Sequence, residues 1–284
     1  MIVVPEEWSK RWEGEDLFDR LFALEGKVYR NKEGRKTIRF TIDGRNYFGK
    51  FHSGIGWKDL LKDLFQLRLP VIGAQNEWTA IKKLEQLGIK TTPLAGYGKR
   101  GINPAKIQSF VITEELTNTA SLEDFCRNWQ KLPPSYALKK SLITKVAETA
   151  RILHENGMNH RDFYICHFLF DLSSGIDRVN NKNPDLHLID LHRVQFRRKT
   201  PLRWKVKDIA ALYFSSMDIG LTNRDLLRFI RVYRNTDIKS ALNEKRFWNK
   251  VEKRGKAFYS EFKRKYPDTA LCRRLKNNRN IEMP

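Results

Sequence analysis

The stretch NHRDFYICHFLF (159–170) decides how the rest of the chain is read. It is open to two readings: a buried strand with stray polar residues, or a catalytic loop that leads into a strand. Asp162 stands directly after His160-Arg161, and Tyr164, Cys166 and His167 follow at once. What precedes it is the strongest helical pattern in the chain. Leu138, Leu142, Val146, Ala150 and Leu153 form an apolar stripe over 135–155. Pro133-Pro134 lie ahead, Ser135 is a cap and Gly157 a stop. After the stretch, FLFDL (168–172) reads as a strand, SSGIDRVNNKNP (173–184) as a turn-rich loop, and LHLID (186–190) as a second strand ending on Asp190. Asp162 therefore falls at a helix–loop junction, outside any strand.

Working back toward the N-terminus, residues 25–51 read as antiparallel strands. KTIRFTI (36–42) alternates apolar and polar, Asp43-Gly44 is a hairpin signal, and NYFGKF (46–51) resumes the pattern. Trp78, Ile81, Leu84 and Leu87 recur at helical spacing over 74–87, with Gly88 as the stop. IQSFVI (107–112) is a further strand, ended by the acidic TEEL. Strands with one helix come first and a mainly helical half follows. The predicted fold is α+β and bilobal. An extension covers 1–20, a sheet lobe 21–116 and a helical lobe 117–284.

Composition narrows the function. The chain has 284 residues, 40% of them hydrophobic, and a formal charge of +21. Such a balance calls for an anionic partner: nucleic acid, anionic lipid, a phosphorylated ligand or an acidic protein. Cys126, Cys166 and Cys272 are scattered, with no CxxC, which fits a reducing compartment better than a disulfide framework. The first residues, MIVVPEEWSKRW, lack the form of a signal peptide, and no 18-residue apolar run exists. HExxH and GxxxxGK[ST] are both absent, so a zinc site or a P-loop has little support.

Four charged residues stand at or near predicted elements. Lys50 lies in a strand, and Glu77 on the helix face shared with Ile81 and Leu84. Asp162 is in the loop, and Asp190 ends a strand. A buried charge is costly unless paired or metal-bound, so this set is expected to satisfy one another and a ligand. Phosphoryl transfer needs such a set: a lysine and a metal to neutralise phosphates, a carboxylate for the metal, and a carboxylate to orient the acceptor hydroxyl.

HRDFYICHFLF, LHLIDLHRVQ, SFVITEELTNTASLEDF and DIAALYFSSMDIGLTNRDLLRF together resemble the lipopolysaccharide core heptose(I) kinases of Gram-negative bacteria, within the wider protein-kinase-like group. The resemblance runs from about Leu21 to Tyr233. It implies ATP and Mg²⁺, with the 4-position of the first inner-core heptose as acceptor. It makes Asp162 the catalytic aspartate and Asp190 a metal ligand. Lys50 becomes the phosphate lysine, Glu77 its partner, and Glu114, Glu115 and Leu116 the hinge beside adenine. Asp208 becomes the buried aspartate that shapes the loop. The implied partners are lipopolysaccharide core–lipid A, the anionic inner-membrane surface and acyl carrier protein. The implied location is the cytoplasm, peripheral at the cytosolic face of the inner membrane.

The chain departs from the protein-kinase pattern in places. RNKEGRKT (30–37) has only Gly34 where kinases carry several glycines, so Arg35 and Lys36 are candidate phosphate contacts beside Lys50. His167 stands where protein kinases place a metal-binding asparagine. It is open to two roles, metal ligation or a local hydrogen bond to Asp162 or the phosphate. Asp190-Leu191-His192 replaces DFG, and no APE follows.

Bland readings compete at each position. Asp162 or Asp190 can be a surface turn residue, Lys50 an edge-strand lysine, and Glu77 a solvated residue with Glu85 as rival. Two basic runs also divide. FRRKTPLRWKVK (196–207) has six Lys/Arg; it is either a cradle for an anionic acceptor or a solvated loop. Residues 245–280 carry 13 Lys/Arg against three acidic residues, with Phe247, Trp248, Phe258, Tyr259 and Phe262 interleaved. That is either a helix on an anionic membrane or a solvated face over a core. Competing functions are a kinase of another acceptor (another core sugar, a small molecule, a protein tyrosine) and a weakly catalytic basic binding protein on a kinase scaffold. Nucleic acid is the less favoured partner, because no RNP, KH or zinc motif is present.

Overall fold

A computed structural model describes residues 1–32, 34–54, 56, 73–103, 105–173 and 184–266. These fall into two compact units, Met1–Gln86 with Thr92–Leu116, and Leu87–Thr91 with Thr117 onward.

The first unit is built on a six-stranded antiparallel sheet. Its strands are β1 (Ile2–Val3), β2 (Lys27–Lys32), β3 (Arg35–Ile42), β4 (Arg45–His52), β5 (Leu94–Arg100) and β6 (Gln108–Glu114), in the order β1-β5-β6-β4-β3-β2. β3 and β4 meet at Asp43-Gly44, both in the left-handed region at φ 50° and 76°, as a tight hairpin of twisted strands requires. Alternation then sorts the faces. Ile38, Phe40, Ile42, Tyr47, Phe51, Phe110 and Ile112 bury one face against Trp8, Trp12, Phe18 and Leu21. Those four residues come from α1 (Glu6–Arg11), α2 (Leu17–Phe22) and the turn between them. Residues 1–20, set apart as an extension from sequence, are thus part of this core, and Ile2 and Val3 extend the sheet by pairing with β5. β6 continues through Thr113 and Glu114, past the expected acidic break, because Tyr47 pairs with Glu114 and Pro93 accepts its N–H at 2.9 Å.

The other face of that sheet carries α3 (Gln75–Gln86), whose Trp78 ring lies 5.2 Å from that of Tyr97. Ala80, Ile81 and Leu84 are buried beneath it.

The second unit is mainly helical: α4 (Leu122–Phe125), α5 (Tyr136–Glu155), α6 (Leu202–Ser215), α7 (Asn223–Arg234), α8 (Ile238–Asn243) and α9 (Lys245–Lys265). The stripe on α5 is buried as its spacing predicts, and Ser135 caps it, its Oγ accepting from Leu138 N at 3.2 Å. α7 opens with a capping box between Thr222 and Asp225. Short strands carry the loops. β7 (Thr119–Ser121), β9 (Phe168–Asp171) and β10 (Leu186–Leu188) form one small sheet, and β8 (Met158–Asn159) pairs with β11 (Gln195–Phe196). Gly157, at φ 72°, turns the chain out of α5; a Cβ there would sit 1.7 Å from Arg197 O, so only glycine lets the two segments meet. The turn-rich segment predicted over 173–184 lies largely outside the described residues.

The basic, aromatic C-terminal run resolves in part. Over α9, Phe247 and Val251 are buried, and Phe258, Tyr259 and Phe262 pack on Phe214 of α6. The aromatic residues cover a core rather than offering an apolar face to a membrane. The remainder of that run lies outside the described residues.

Candidate active site

In the first unit, Lys50 lies at the centre of the sheet, paired in register with Thr37 on β3 and Val111 on β6. That register turns it to the α3 face, and its Nζ donates to Glu77 Oε1 at 2.7 Å. Glu77 is 6% exposed, whereas Glu85 is solvent-exposed, so Glu77 is the helix carboxylate that meets the lysine. Arg35 shares the Lys50 face. Lys36 does not: it pairs with Phe51 on the opposite face, and its Nζ donates to Leu24 O at 3.2 Å. The strand pleat therefore removes Lys36 from any site containing Lys50.

The residues expected to form the hinge are engaged in a specific way. Glu115 N–H donates to Asn46 O at 3.0 Å, and its carboxylate takes both Nε and a terminal NH of Arg39 at 2.7 and 2.8 Å. The Arg39 hydrogen bond is the main reason its carboxyl lies below the usual range.

In the second unit the loop predicted around Asp162 is held from beneath. Asp208, on α6 and 0% exposed, accepts His160 N at 2.6 Å and Arg161 N at 2.9 Å. A buried chain supports it: Tyr233 donates its O–H to His154 Nδ1 at 2.7 Å, and His154 Nε2 reaches Asp208 at 3.4 Å. Burial pushes the Tyr233 phenol up, which keeps its proton on oxygen. His160 Nε2 donates to Ile189 O at 3.0 Å, and burial first of all holds its imidazole below the usual value, in the neutral form. These clamps hold Arg161 at φ 77°, a region few side chains occupy without such constraint.

With the loop so fixed, both Asp162 oxygens face Arg193, each 2.9 Å from the same terminal nitrogen. Asp190 does not end β10, which stops at Leu188. It sits just beyond, at φ 61°, at the head of a 3₁₀ turn over Leu191–Arg193. Its carboxylate meets His192 Nδ1 at 2.6 Å and His167 Nε2 at 3.6 Å. His167 Nδ1 donates to the Asp162 carbonyl at 2.7 Å. Of the roles open for His167, the local hydrogen bond is present, made to the Asp162 backbone, while the other ring nitrogen turns to Asp190.

Of that pair, the Asp190 carboxylate suits a magnesium ion, while a neutral imidazole prefers softer ions. Asp190 supplies a hard oxygen, and magnesium keeps water and substrate phosphates as further ligands, so few protein ligands are needed. Among the described residues no cluster of three or more His, Cys, Asp or Glu is disposed to hold a metal alone.

Arg193 and His192 had no role in the sequence reading. The signal for both was present, since they follow Asp190 in the unbroken run IDLHR.

Comparison with known proteins gives this geometry a family. Residues 19–233 match the lipopolysaccharide kinase (Kdo/WaaP) family. The chain is 44% identical over 270 residues to the lipopolysaccharide core heptose(I) kinase WaaP of Pseudomonas aeruginosa, covering 94% of this chain and 98% of that one. It is 44% identical over 245 residues to the protein of that name in Escherichia coli K12, covering 86% and 91%. A solved structure described as WaaP in complex with acyl carrier protein superposes with a TM-score of 0.79 at 41% identity, over 91% of this chain and 99% of that chain. The Lys50–Glu77 pair, the Asp208-clamped loop bearing Asp162 and the Asp190 turn are thus those of a chain that belongs to the lipopolysaccharide kinase (Kdo/WaaP) family.

Proposed function

We propose that this chain is an ATP-dependent kinase that phosphorylates a heptose of the lipopolysaccharide inner core, at the 4-position of the first heptose by the family pattern. The observation that carries the reading is the loop clamp. Asp208 fixes the backbone on the N-terminal side of Asp162, so a carboxylate is held ready for an acceptor hydroxyl. Its support is 44% identity over 94% of the chain to a kinase of that name.

Lys50, oriented by Glu77, carries the positive charge for the nucleotide phosphates, with Arg35 on the same sheet face. Asp190, with His167 beside it, would hold magnesium, which when bound neutralises charge on phosphate oxygens. Asp162 orients the heptose hydroxyl and accepts its proton as the oxygen attacks phosphorus. Arg193 keeps that carboxylate in one rotamer until the hydroxyl arrives. At the hinge, Glu114 N–H is given to Pro93 and Glu115 N–H to Asn46, which leaves Leu116 and the Glu114 carbonyl for adenine.

The partners follow from charge and likeness. At +21 the chain suits an acceptor bearing phosphates and acidic sugars, an anionic bilayer surface, and acidic acyl carrier protein, the partner in the similar solved complex. No described helix is long and apolar enough to cross a membrane. Attachment at the cytosolic face of the inner membrane is therefore proposed as electrostatic, through basic residues rather than through the packed aromatic residues of α9.

The test is ATP consumption with an acceptor panel. Purified core lipopolysaccharide should support turnover, with peptide and aminoglycoside inactive. Turnover with either of those alone, or tight salt-sensitive RNA binding without turnover, would replace this reading.

A further inference from the structure

Trp204, in the first turn of α6, is ringed by cations. The charged groups of Arg161, Arg197, Arg203 and Lys207 lie 5.6, 5.6, 5.3 and 5.5 Å from its ring centre. Cation–π attraction favours each singly, but four like charges around one indole repel one another. Burial and neighbouring cations bear on the charge of two of the four. Burial, then Arg161, holds the Lys207 ammonium below its usual range, with Asp162 opposing. Burial, then Arg193, does the same to Arg161. The nearby acid, Asp162, offsets part of this while both its oxygens are engaged by Arg193. Arg197 is steered instead by neutral oxygens, Asn159 Oδ1 at 2.6 Å and Gln195 Oε1 at 2.7 Å.

The same cluster contains buried donors without partners: Asn159 Nδ2, Trp204 Nε1 and Arg161 Nε. Asn159 is 0% exposed and is tied to the cluster through its bond to Arg197. Each of these atoms gives a proton and none accepts one. Excess positive charge and unmet donors together describe the complement of an oxyanion, and guanidinium forks match phosphate in particular.

We propose that Arg161, Arg197 and Lys207, walled by Trp204, form a phosphate subsite beside Asp162 that grips a phosphate group of the acceptor while its hydroxyl meets the catalytic carboxylate. This rests on the kinase reading above and extends it to acceptor recognition. The sequence reading left the run 196–207 divided between an anion cradle and a solvated loop; the inward clustering of Arg197 and Lys207 on Trp204 favours the cradle.

Two measurements test it on the full chain. Inorganic phosphate, followed by ³¹P line broadening and by indole fluorescence, should bind the wild type. Arg197→Gln or Lys207→Gln should each weaken that binding about tenfold, as loss of a charged hydrogen bond implies, with Arg197→Lys recovering part of it. Two variants guard against misfolding of one, and the unliganded melting temperature checks both. In turnover, each variant should raise KM for intact core lipopolysaccharide about tenfold, with KM for ATP moving less than twofold. With phosphatase-treated acceptor, variant and wild type should have similar KM values. Equal phosphate binding by wild type and both folded variants would overturn the subsite. Weakened phosphate binding with no change in acceptor KM would assign it to free phosphate and overturn the acceptor role, as would an equal KM penalty on treated and untreated acceptor. The phosphate titration needs no turnover, so failure of the kinase reading and failure of the subsite are read separately.

Discussion

Lys50 and Asp162 each face an opposite charge at similar range, 2.7 Å to Glu77 and 2.9 Å to Arg193, yet the two units hold them by different means. Lys50 is held by register. β3 and β6 flank it, the pleat sets its direction, and a regular helix brings the carboxylate. Asp162 is held by a loop with no such regularity. Its neighbour Arg161 sits at φ 77°, and the restraint comes from Asp208, 48 residues beyond His160. A sheet position is over-determined by many weak, repeated contacts, whereas a loop position depends on a few strong ones. Substitutions should therefore fail differently in the two regions.

The largest effect is expected where chemistry and loop coincide. Asp162→Asn keeps the size of the side chain and removes its proton acceptor, so kcat should fall at least about 10²-fold while the melting temperature stays close to wild type. Near-normal turnover would remove Asp162 from the mechanism. Asp208→Ala tests the clamp. It leaves His160 N and Arg161 N without their acceptor, which costs about 2–4 kcal/mol and should lower both stability and kcat together. An active, fully stable variant would show that the loop is held elsewhere. Glu77→Gln should be milder, because the strand keeps Lys50 in place without its partner. We expect KM for ATP to rise about three- to tenfold with little change in stability, since the amide keeps an oxygen to accept from Lys50 Nζ and the lysine end of the pair is 28% exposed. A collapse of the fold in Glu77→Gln would erase the contrast between the two regions.

The same contrast explains what could be read from sequence. Alternation disclosed β3, β4 and the hairpin, and helical spacing disclosed α3 and α5 with Ser135 as cap, because those patterns are local. Lys36 was misplaced beside the phosphates because basic residues were counted along the run without applying the pleat, which puts neighbours on opposite faces. Trp8, Trp12, Phe18 and Leu21 gave no hint of joining the sheet core, because short helices of six residues have too few turns to show a stripe. Around Asp162, the motif residues were legible and their supports were not. Asp208 entered only by resemblance, and Arg193 and His192 went unassigned. Nothing local marks a residue whose partner lies on another loop. The aromatic residues of α9 left two readings open, since spacing alone cannot say whether an apolar stripe covers protein or lipid.

The smallest predicted effect separates the loop from the sheet by pH. His160 is buried and kept neutral, with its folded-state value below the unfolded value of about 6.5. Below that pH the unfolded chain takes up a proton that the folded loop refuses. Stability is therefore fully present above about 6.5 and falls as pH drops toward the lowered folded value, by up to about 1.4 kcal/mol per pH unit for one proton. His160→Gln retains an N–H for the Ile189 carbonyl and removes the titration. Urea midpoints measured from pH 7.5 to 5.5 should fall more steeply for the wild type than for His160→Gln, while Glu77→Gln follows the wild-type slope. Parallel slopes for wild type and His160→Gln would mean that the imidazole takes its proton without loosening the loop, and that the Asp162 loop is held as rigidly as the strand that carries Lys50.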